Sequence, residues 1–231
     1  MQASLDHIDR HSRQLATYWF KPEGYFRFVP GEFTELYLPH SDPDNRGASR
    51  EFTISSTPRD TLVGITTTFP TDGQKISTFK RALQNLAIGD IVQLAETKGD
   101  FVAPRDSSIP LLFVAGGIGI TPVLSIVSHL KNQNDQRAIT ILHSAADTET
   151  FLGKTLFTNY SADYIPTLTS RDVSWQGKIG RIHTVDILAT TTPRTLIYIS
   201  GPDAMTATLR KQLIANGVQS TNIVTDAFTG Y

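Results

Sequence analysis

Three short segments of this 231-residue chain hold the residue types needed to bind a flat ring with a phosphate tail. The first is Leu111-Leu112-Phe113-Val114-Ala115 followed by Gly116-Gly117-Ile118-Gly119-Ile120-Thr121-Pro122. It reads as a buried strand, a glycine-rich turn and a helix that begins near Thr121 or Pro122. The start of such a helix carries unpaired backbone N–H groups at the positive end of its dipole, which suits a phosphate. Glycine permits positive φ and close approach of a ligand to the backbone. The spacing departs from the dinucleotide fingerprint G-x-G-x-x-G, because Pro122 stands where the third glycine would be. The second segment is Arg50-Glu51-Phe52-Thr53-Ile54-Ser55-Ser56, a strand offering a fixed cation, an aromatic ring and three hydroxyls. Arginine pairs with phosphate, an aromatic ring stacks, and hydroxyls bond heteroatoms. The third is Ile199-Ser200-Gly201-Pro202-Asp203-Ala204-Met205, a second strand–turn–helix junction.

The elements that position these segments fall into two patterns. Before the linker-like stretch Pro104–Pro110, strand-like runs dominate: 14–20, 25–29, 33–38, 50–56, 62–69 and 91–96. Pro-Gly, Asp-Gly and Gly-Asp turns punctuate them, which predicts a small antiparallel six-stranded barrel. One helix interrupts the strands, with Phe79, Ala82, Leu83 and Leu86 at helical spacing and Ser77 or Thr78 as cap. After the linker, strands at 111–115, 138–143, 164–169, 196–200 and 223–227 alternate with helices at 121–132 and 203–216. That alternation predicts a parallel sheet covered on both faces, with ligands at the carboxyl ends of its strands. The expected division is residues 1–104 and 105–231.

Composition sets limits. Lys plus Arg number 21 against 22 Asp plus Glu, so the net charge of −1 offers no field for nucleic acid. No apolar run approaches membrane-span length, and Met1–Arg13 lacks the apolar core of a signal peptide, so a cytoplasmic protein is expected. There is no cysteine, which excludes disulfides, thiolate nucleophiles and a cysteine-ligated iron–sulfur cluster in this chain. Six histidines are scattered without metal-ligand spacing, so no metal site is expected. His143, at the end of a strand, reads as a structural or rim histidine.

Taken in order, Arg50/Phe52/Thr53, Gly117/Gly119/Thr121/Pro122 and Ser200/Gly201/Pro202/Met205 resemble the three motifs of the ferredoxin–NADP reductase superfamily. The resemblance implies a flavin-binding barrel followed by an α/β nucleotide-binding domain, with FAD and NADP as cofactors and NADP favoured over NAD. It implies that Arg50 holds the flavin pyrophosphate, Phe52 lies against the isoalloxazine and Thr53 bonds flavin N5. Ser55, Lys75, Ser77 and Thr78 would line the same cofactor. Gly117, Gly119, Ile120 and Thr121 would meet the nucleotide, with Gly201, Pro202 and Met205 at the nicotinamide. Ser170, Arg171 and Arg181 would surround a 2′-phosphate, with Lys178 nearby. Ser200 stands where relatives place cysteine, and Tyr231 would cover the flavin face. The implied reaction is hydride transfer from NAD(P)H to FAD, then electron release to a separate acceptor such as ferredoxin or flavodoxin. A reductase component of an oxygenase system and a non-catalytic flavin or nucleotide binding module are the alternatives.

Overall fold

The computed structural model describes residues 1–70, 73–170, 172 and 174–228; of Ala227 and Phe228 only the backbone is described. The chain divides into two units, Met1–Val102 and Ala103–Tyr231.

In the first unit six strands, β1 (Gln2–Arg10), β2 (Leu15–Pro22), β3 (Phe33–Tyr37), β4 (Ser49–Thr53), β5 (Val63–Thr68) and β6 (Ile91–Leu94), form one antiparallel sheet. Its order is β4-β3-β6-β1-β2-β5. A bridge between Ile54 and Ile65, with Ser55 N–H bonding Gly64 O at 2.9 Å, laces the two edge strands together and closes the sheet. Bringing the two ends of the sheet together shortens the edges left open on β4 and β5.

The count of six matches the sequence reading, but one member differs. Residues 25–29, expected as a strand, are irregular: Phe26 and Phe28 pack on the barrel core, while Tyr25 is exposed. The chain here is bounded by Pro22-Glu23-Gly24 and by Gly31 at φ +101°, and it finds no ladder partner. The sixth strand is instead β1, which turns few apolar side chains inward, chiefly Ala3 and Leu5, and has a bulge between Leu5 and His7. So polar a strand gives almost no alternation signal.

The helix α1 (Thr78–Gln84) opens as anticipated, with the Ser77 hydroxyl accepting from Lys80 N–H at 3.2 Å. It buries Phe79 and Leu83, four residues apart, against Phe52, Ile54 and Leu94 of the barrel interior.

The second unit holds β7 (Leu111–Gly116), β8 (Ile139–Ala145), β9 (Asp163–Leu168), the two-residue β10 (Lys178–Ile179), β11 (Leu196–Pro202) and β12 (Ile223–Phe228). All pairings are parallel, in the order β10-β9-β8-β7-β11-β12. The helices are α2 (Thr121–Asn132), α3 (Lys154–Tyr160), α4 (Thr184–Leu188) and α5 (Asp203–Ala215). Every residue of β7 is buried, as a central strand covered on both faces requires. The strand order reverses between β7 and β11, so the crevice expected to bind ligands in open parallel sheets lies at their carboxyl ends. Both glycine turns are there. Arg137, nearly buried, forks onto Asp135 and donates to Pro104 O at 3.0 Å, which anchors the segment that leads into β7.

Candidate functional site

The register of the second sheet sets Ser200, Ala115 and His143 side by side on β11, β7 and β8. Just beyond, residues Gly117–Ile120 form a 3-10 turn that runs directly into α2, with Pro122 in its first turn where no N–H is needed. The glycines of the two junctions interlock. A Cβ on Gly119 would lie 2.2 Å from Ser200 O; one on Gly116 would lie 2.7 Å from Met205 Sδ; one on Gly201, at φ +150°, would lie 2.8 Å from Met205 Cε. These glycines exist so that the β7 and β11 turns and Met205 can pack. Gly117 differs: its φ is +54° and nothing lies within 4 Å of a Cβ placed there. Open space beside a bare backbone is where a ligand can approach.

This revises part of the sequence expectation. Gly119, Ile120 and Thr121 are buried, and the Thr121 hydroxyl donates to Ile118 O at 3.1 Å. Their side of the turn is packing, which leaves Gly117 as the accessible member. Pro202 is exposed, whereas Met205 is half-buried over Gly116 and Gly201. Ser200 is fully buried, and its hydroxyl has no hydrogen-bond partner among the described residues.

His143 holds the glycine turn from behind. It is fully buried, its Nε2 lies 2.9 Å from Gly117 O, and its Nδ1 lies 3.1 Å from the Tyr164 hydroxyl. A carbonyl only accepts, so Nε2 carries the proton and Nδ1 accepts from the phenol. The edge of Phe151 meets the imidazole with centroids 5.2 Å apart, and Phe151 stacks in turn on Trp175 at 5.3 Å. Burial pushes the His143 imidazole down to about 4, against a smaller upward pull from the bond to Gly117, so it is neutral at neutral pH. Burial raises the Tyr164 phenol, which stays protonated as donor. His143 is thus structural, as expected, but it orients the carbonyl of Gly117, the open glycine of this turn.

In the first unit, β4 presents the second constellation. Thr53 is 4% exposed and its hydroxyl is unpartnered among the described residues. Leaving a buried hydroxyl unsatisfied costs about 1–3 kcal/mol, an outlay that a polar ligand would remove. Thr78 Oγ1 and His40 Nε2 are buried and unpartnered in the same way. Phe52 is not placed as expected. It is 5% exposed and packs in the barrel core with its ring centroid 5.9 Å from that of Phe79. The alternation of β4 points Phe52 inward, so its faces are taken up by the core rather than offered to a ring. Ser55 also departs: its hydroxyl bonds Gly64 O at 3.0 Å and Thr66 Oγ1 at 2.8 Å, which makes it a barrel residue.

Arg50 is well placed as a cation, but it is engaged. Its Nη2 donates to both oxygens of Asp44, each at 2.7 Å, and its carbon Cζ sits 5.1 Å above the Phe79 ring. Asp44 and His40 belong to the connection between β3 and β4, and neither stood out in the sequence. Lys80 donates to Thr68 O, and burial, helped by repulsion from Arg46, lowers its ammonium to about 8. Lys75 is exposed.

Of the residues expected around a 2′-phosphate, Ser170 is exposed and donates to Ala146 O, and Arg181 is exposed. Lys178 pairs with Asp186. Arg171 and Tyr231 lie outside the described residues. Among the described residues no group of three or more His, Cys, Asp or Glu side chains is disposed to hold a metal ion. No helix among them is long and apolar enough to cross a membrane.

Residues 113–211 match the family described as "Oxidoreductase NAD-binding domain". Flavohemoprotein A of Dictyostelium discoideum is 24% identical to 97% of this chain, which matches 59% of that protein. A CDP-6-deoxy-L-threo-D-glycero-4-hexulose-3-dehydrase reductase of Yersinia pestis is 24% identical over 90% of this chain and 61% of its own length. The chain therefore spans about three fifths of the curated relatives it matches. Among solved structures, a ferredoxin NADP+ reductase from Neisseria gonorrhoeae with bound FAD and NADP superimposes with a TM-score of 0.80 at 17% identity, over 98% of both chains. The Amycolatopsis cytochrome P450 reductase gives 0.83 at 18%, over all of this chain and 70% of that one.

Proposed function

We propose that this chain, which has the fold of the ferredoxin–NADP reductase superfamily, is an oxidoreductase that binds FAD on residues 1–104 and NAD(P)H on residues 105–231. It would pass electrons from the nucleotide to a separate acceptor protein. The observation that carries this reading is a pair of orphan hydroxyls. Thr53 ends β4 and Ser200 lies near the end of β11; each is buried without a partner among the described residues, and each occupies a motif position. Tyr18 and Thr67 also bury hydroxyls without a partner among the described residues, but neither falls in a motif; at Thr53 and Ser200 a polar ring would meet the cost.

FAD, when bound, supplies the conversion between a two-electron hydride and single electrons. The chain supplies position and polarity. Thr53 would give a hydrogen bond at the flavin ring, Arg50 a paired cation for its pyrophosphate, and Thr78 with the backbone near Ser77 further donors. In the second unit the open Gly117 would admit the nucleotide pyrophosphate, while Ser200 would face the nicotinamide with a small polar group. No general acid or base is required of the protein. Ser170 and Arg181, both exposed, support a 2′-phosphate and hence NADPH over NADH; Arg171 would join them. The acceptor class we favour is a ferredoxin or flavodoxin in the cytoplasm. An oxygenase component is the second reading, because a cytochrome P450 reductase and the ferredoxin reductase of a carbazole dioxygenase share the fold.

The test is an anaerobic visible spectrum of the purified protein before and after stoichiometric NADPH, then NADH. A flavin band that bleaches with NADPH supports the reading. A colourless protein that FAD does not reconstitute overturns it.

A further inference from the structure

We propose that Asp44 is a built-in competitor for the flavin pyrophosphate: its carboxylate occupies Nη2 of Arg50 and must be displaced when FAD binds, so that FAD is held exchangeably. This rests on the flavin reading above.

Arg50 reaches Asp44 through one terminal nitrogen, Nη2, which lies 2.7 Å from each carboxylate oxygen and is the part of the guanidinium left to pair with an anion. Its other terminal nitrogen, Nη1, bonds the carbonyls of Arg46, Gly47 and Ser49 at 3.3, 3.0 and 2.5 Å. Those bonds hold the guanidinium in place whatever pairs with Nη2, and Phe79 lies beneath it with its centroid 5.1 Å from Cζ. The Asp44 and Arg50 side chains keep 25% and 15% of their exposure, so an exchange with a dissolved anion is open to them. Asp44 is on a surface turn closed by Gly47 N–H to Asp44 O at 2.8 Å, with Gly47 at φ +76° and open space around it.

The surroundings point to a ligand and not to a finished salt bridge. Arg46 stands 3.7 Å from the same carboxylate, and Lys80 is close enough to Arg46 to feel its charge. One carboxylate thus faces an excess of cations. Around Phe79, over which Arg50 lies, the His40 ring sits edge-on at 6.2 Å and Thr78 is the preceding residue; His40 Nε2 and the Thr78 hydroxyl are buried and unpartnered among the described residues. Asp44 satisfies the cation and leaves those neutral groups unmet. A pyrophosphate has acceptor oxygens enough for both, but its charge and that of Asp44 repel at the same nitrogen.

The sign of one substitution separates this from a purely structural salt bridge. If Asp44 only shapes the turn, Asp44→Asn loosens the site and weakens FAD. If Asp44 competes, Asp44→Asn tightens FAD, by about tenfold for a charge-assisted pair of this exposure. Riboflavin, which has no phosphate, provides the control. The full-length protein, stripped of flavin, would be titrated with FAD and with riboflavin by fluorescence quenching; thermal melting would check folding, and Asp44→Ser would serve if Asp44→Asn folds poorly. We expect a lower Kd for FAD and an unchanged Kd for riboflavin, with the gain absent when Arg50→Ala is also present. An unchanged or higher Kd for FAD, or an equal gain for riboflavin, overturns the competitor role while leaving the flavin site standing. No binding of either flavin by any of the proteins overturns both.

Discussion

Acidification should weaken the second unit first through His143. The histidine is fully buried, and burial takes its imidazole from 6.5 in the unfolded chain down to about 4 in the fold. The folded state therefore disfavours the protonated form, and the unfolded chain binds the proton first. The associated stability is fully present above 6.5, falls as the pH drops below it, and is all lost once the pH passes below about 4. A shift of that size corresponds to about 3 kcal/mol, approached with a slope of up to about 1.4 kcal/mol per pH unit. Asp135 and Asp186, held low by Arg137 and Lys178 respectively although burial opposes this, lose their contributions only below the ordinary carboxylate value of 3.8. The two windows are thus separate. The chain has two tryptophans, Trp19 in the first unit and Trp175 in the second, so a Trp19→Phe background makes Trp175 report on the second unit alone. Urea unfolding in that background, at steps from pH 8 to pH 4.5, should show a fall in stability of this order. His143→Gln, which removes the titrating group, should flatten the slope while costing about 1–3 kcal/mol at pH 7 through the lost bonds to Gly117 and Tyr164. Equal slopes in the two proteins would refute the assignment of His143 as a buried neutral imidazole.

Other perturbations test the remaining joints of the site. Gly119→Ala drives a methyl group to 2.2 Å from the Ser200 carbonyl, so it should destabilise the second unit by about 3 kcal/mol and abolish NAD(P)H oxidation; a melt within error of wild type would contradict the interlock. Thr53→Val removes an unpartnered buried hydroxyl at nearly constant shape. The flavin-free protein should be no less stable, and gain up to about 1 kcal/mol, while FAD reduction by NADPH slows; Thr53→Ser should restore the rate. Arg181→Ala should raise KM for NADPH about tenfold and leave KM for NADH unchanged; equal effects on both would remove Arg181 from the 2′-phosphate site.

How much of this was legible in the sequence depended on the signal each element carries. The second unit was read almost to its ends, because β7 is a continuous apolar run and α2 is bounded by a glycine turn and Pro122. The two-residue β10 went unseen, being too short for any periodicity. In the barrel, β1 was missed for its polar sequence, and 25–29 was over-read, since Phe26 and Phe28 alternate as a strand would without pairing as one. At the site, the motifs marked Arg50, Thr53, Gly117 and Ser200 by type and position. They could not reveal Asp44 or His143 as the partners of Arg50 and Gly117, because those pairings arise from a loop six residues away and from a neighbouring strand. A hydrogen-bond partner is a property of the fold, and a local pattern does not carry it.

Structural detail also divides the motif residues by what they do. Gly116, Gly119, Gly201, Phe52, Ser55 and Thr121 have their contacts satisfied within their own unit: the glycines by close packing, Phe52 by the barrel core, and Ser55 and Thr121 by hydrogen bonds. Thr53, Thr78 and Ser200 do not, since each buries a hydroxyl with no partner among the described residues. A fold keeps such groups only where the remaining packing outweighs them, as it does for the buried hydroxyls of Tyr18 and Thr67, which lie outside the motifs and also lack a partner among the described residues. The satisfied set explains why the turns adopt this geometry, and substitutions there should act first on stability. The unsatisfied set has no role in the bare chain, so substitutions there should act on ligand binding with stability unchanged or improved. Opposite signs in the two sets are what a site assembled for a cofactor requires, and a site that was only a packing motif would give one sign throughout.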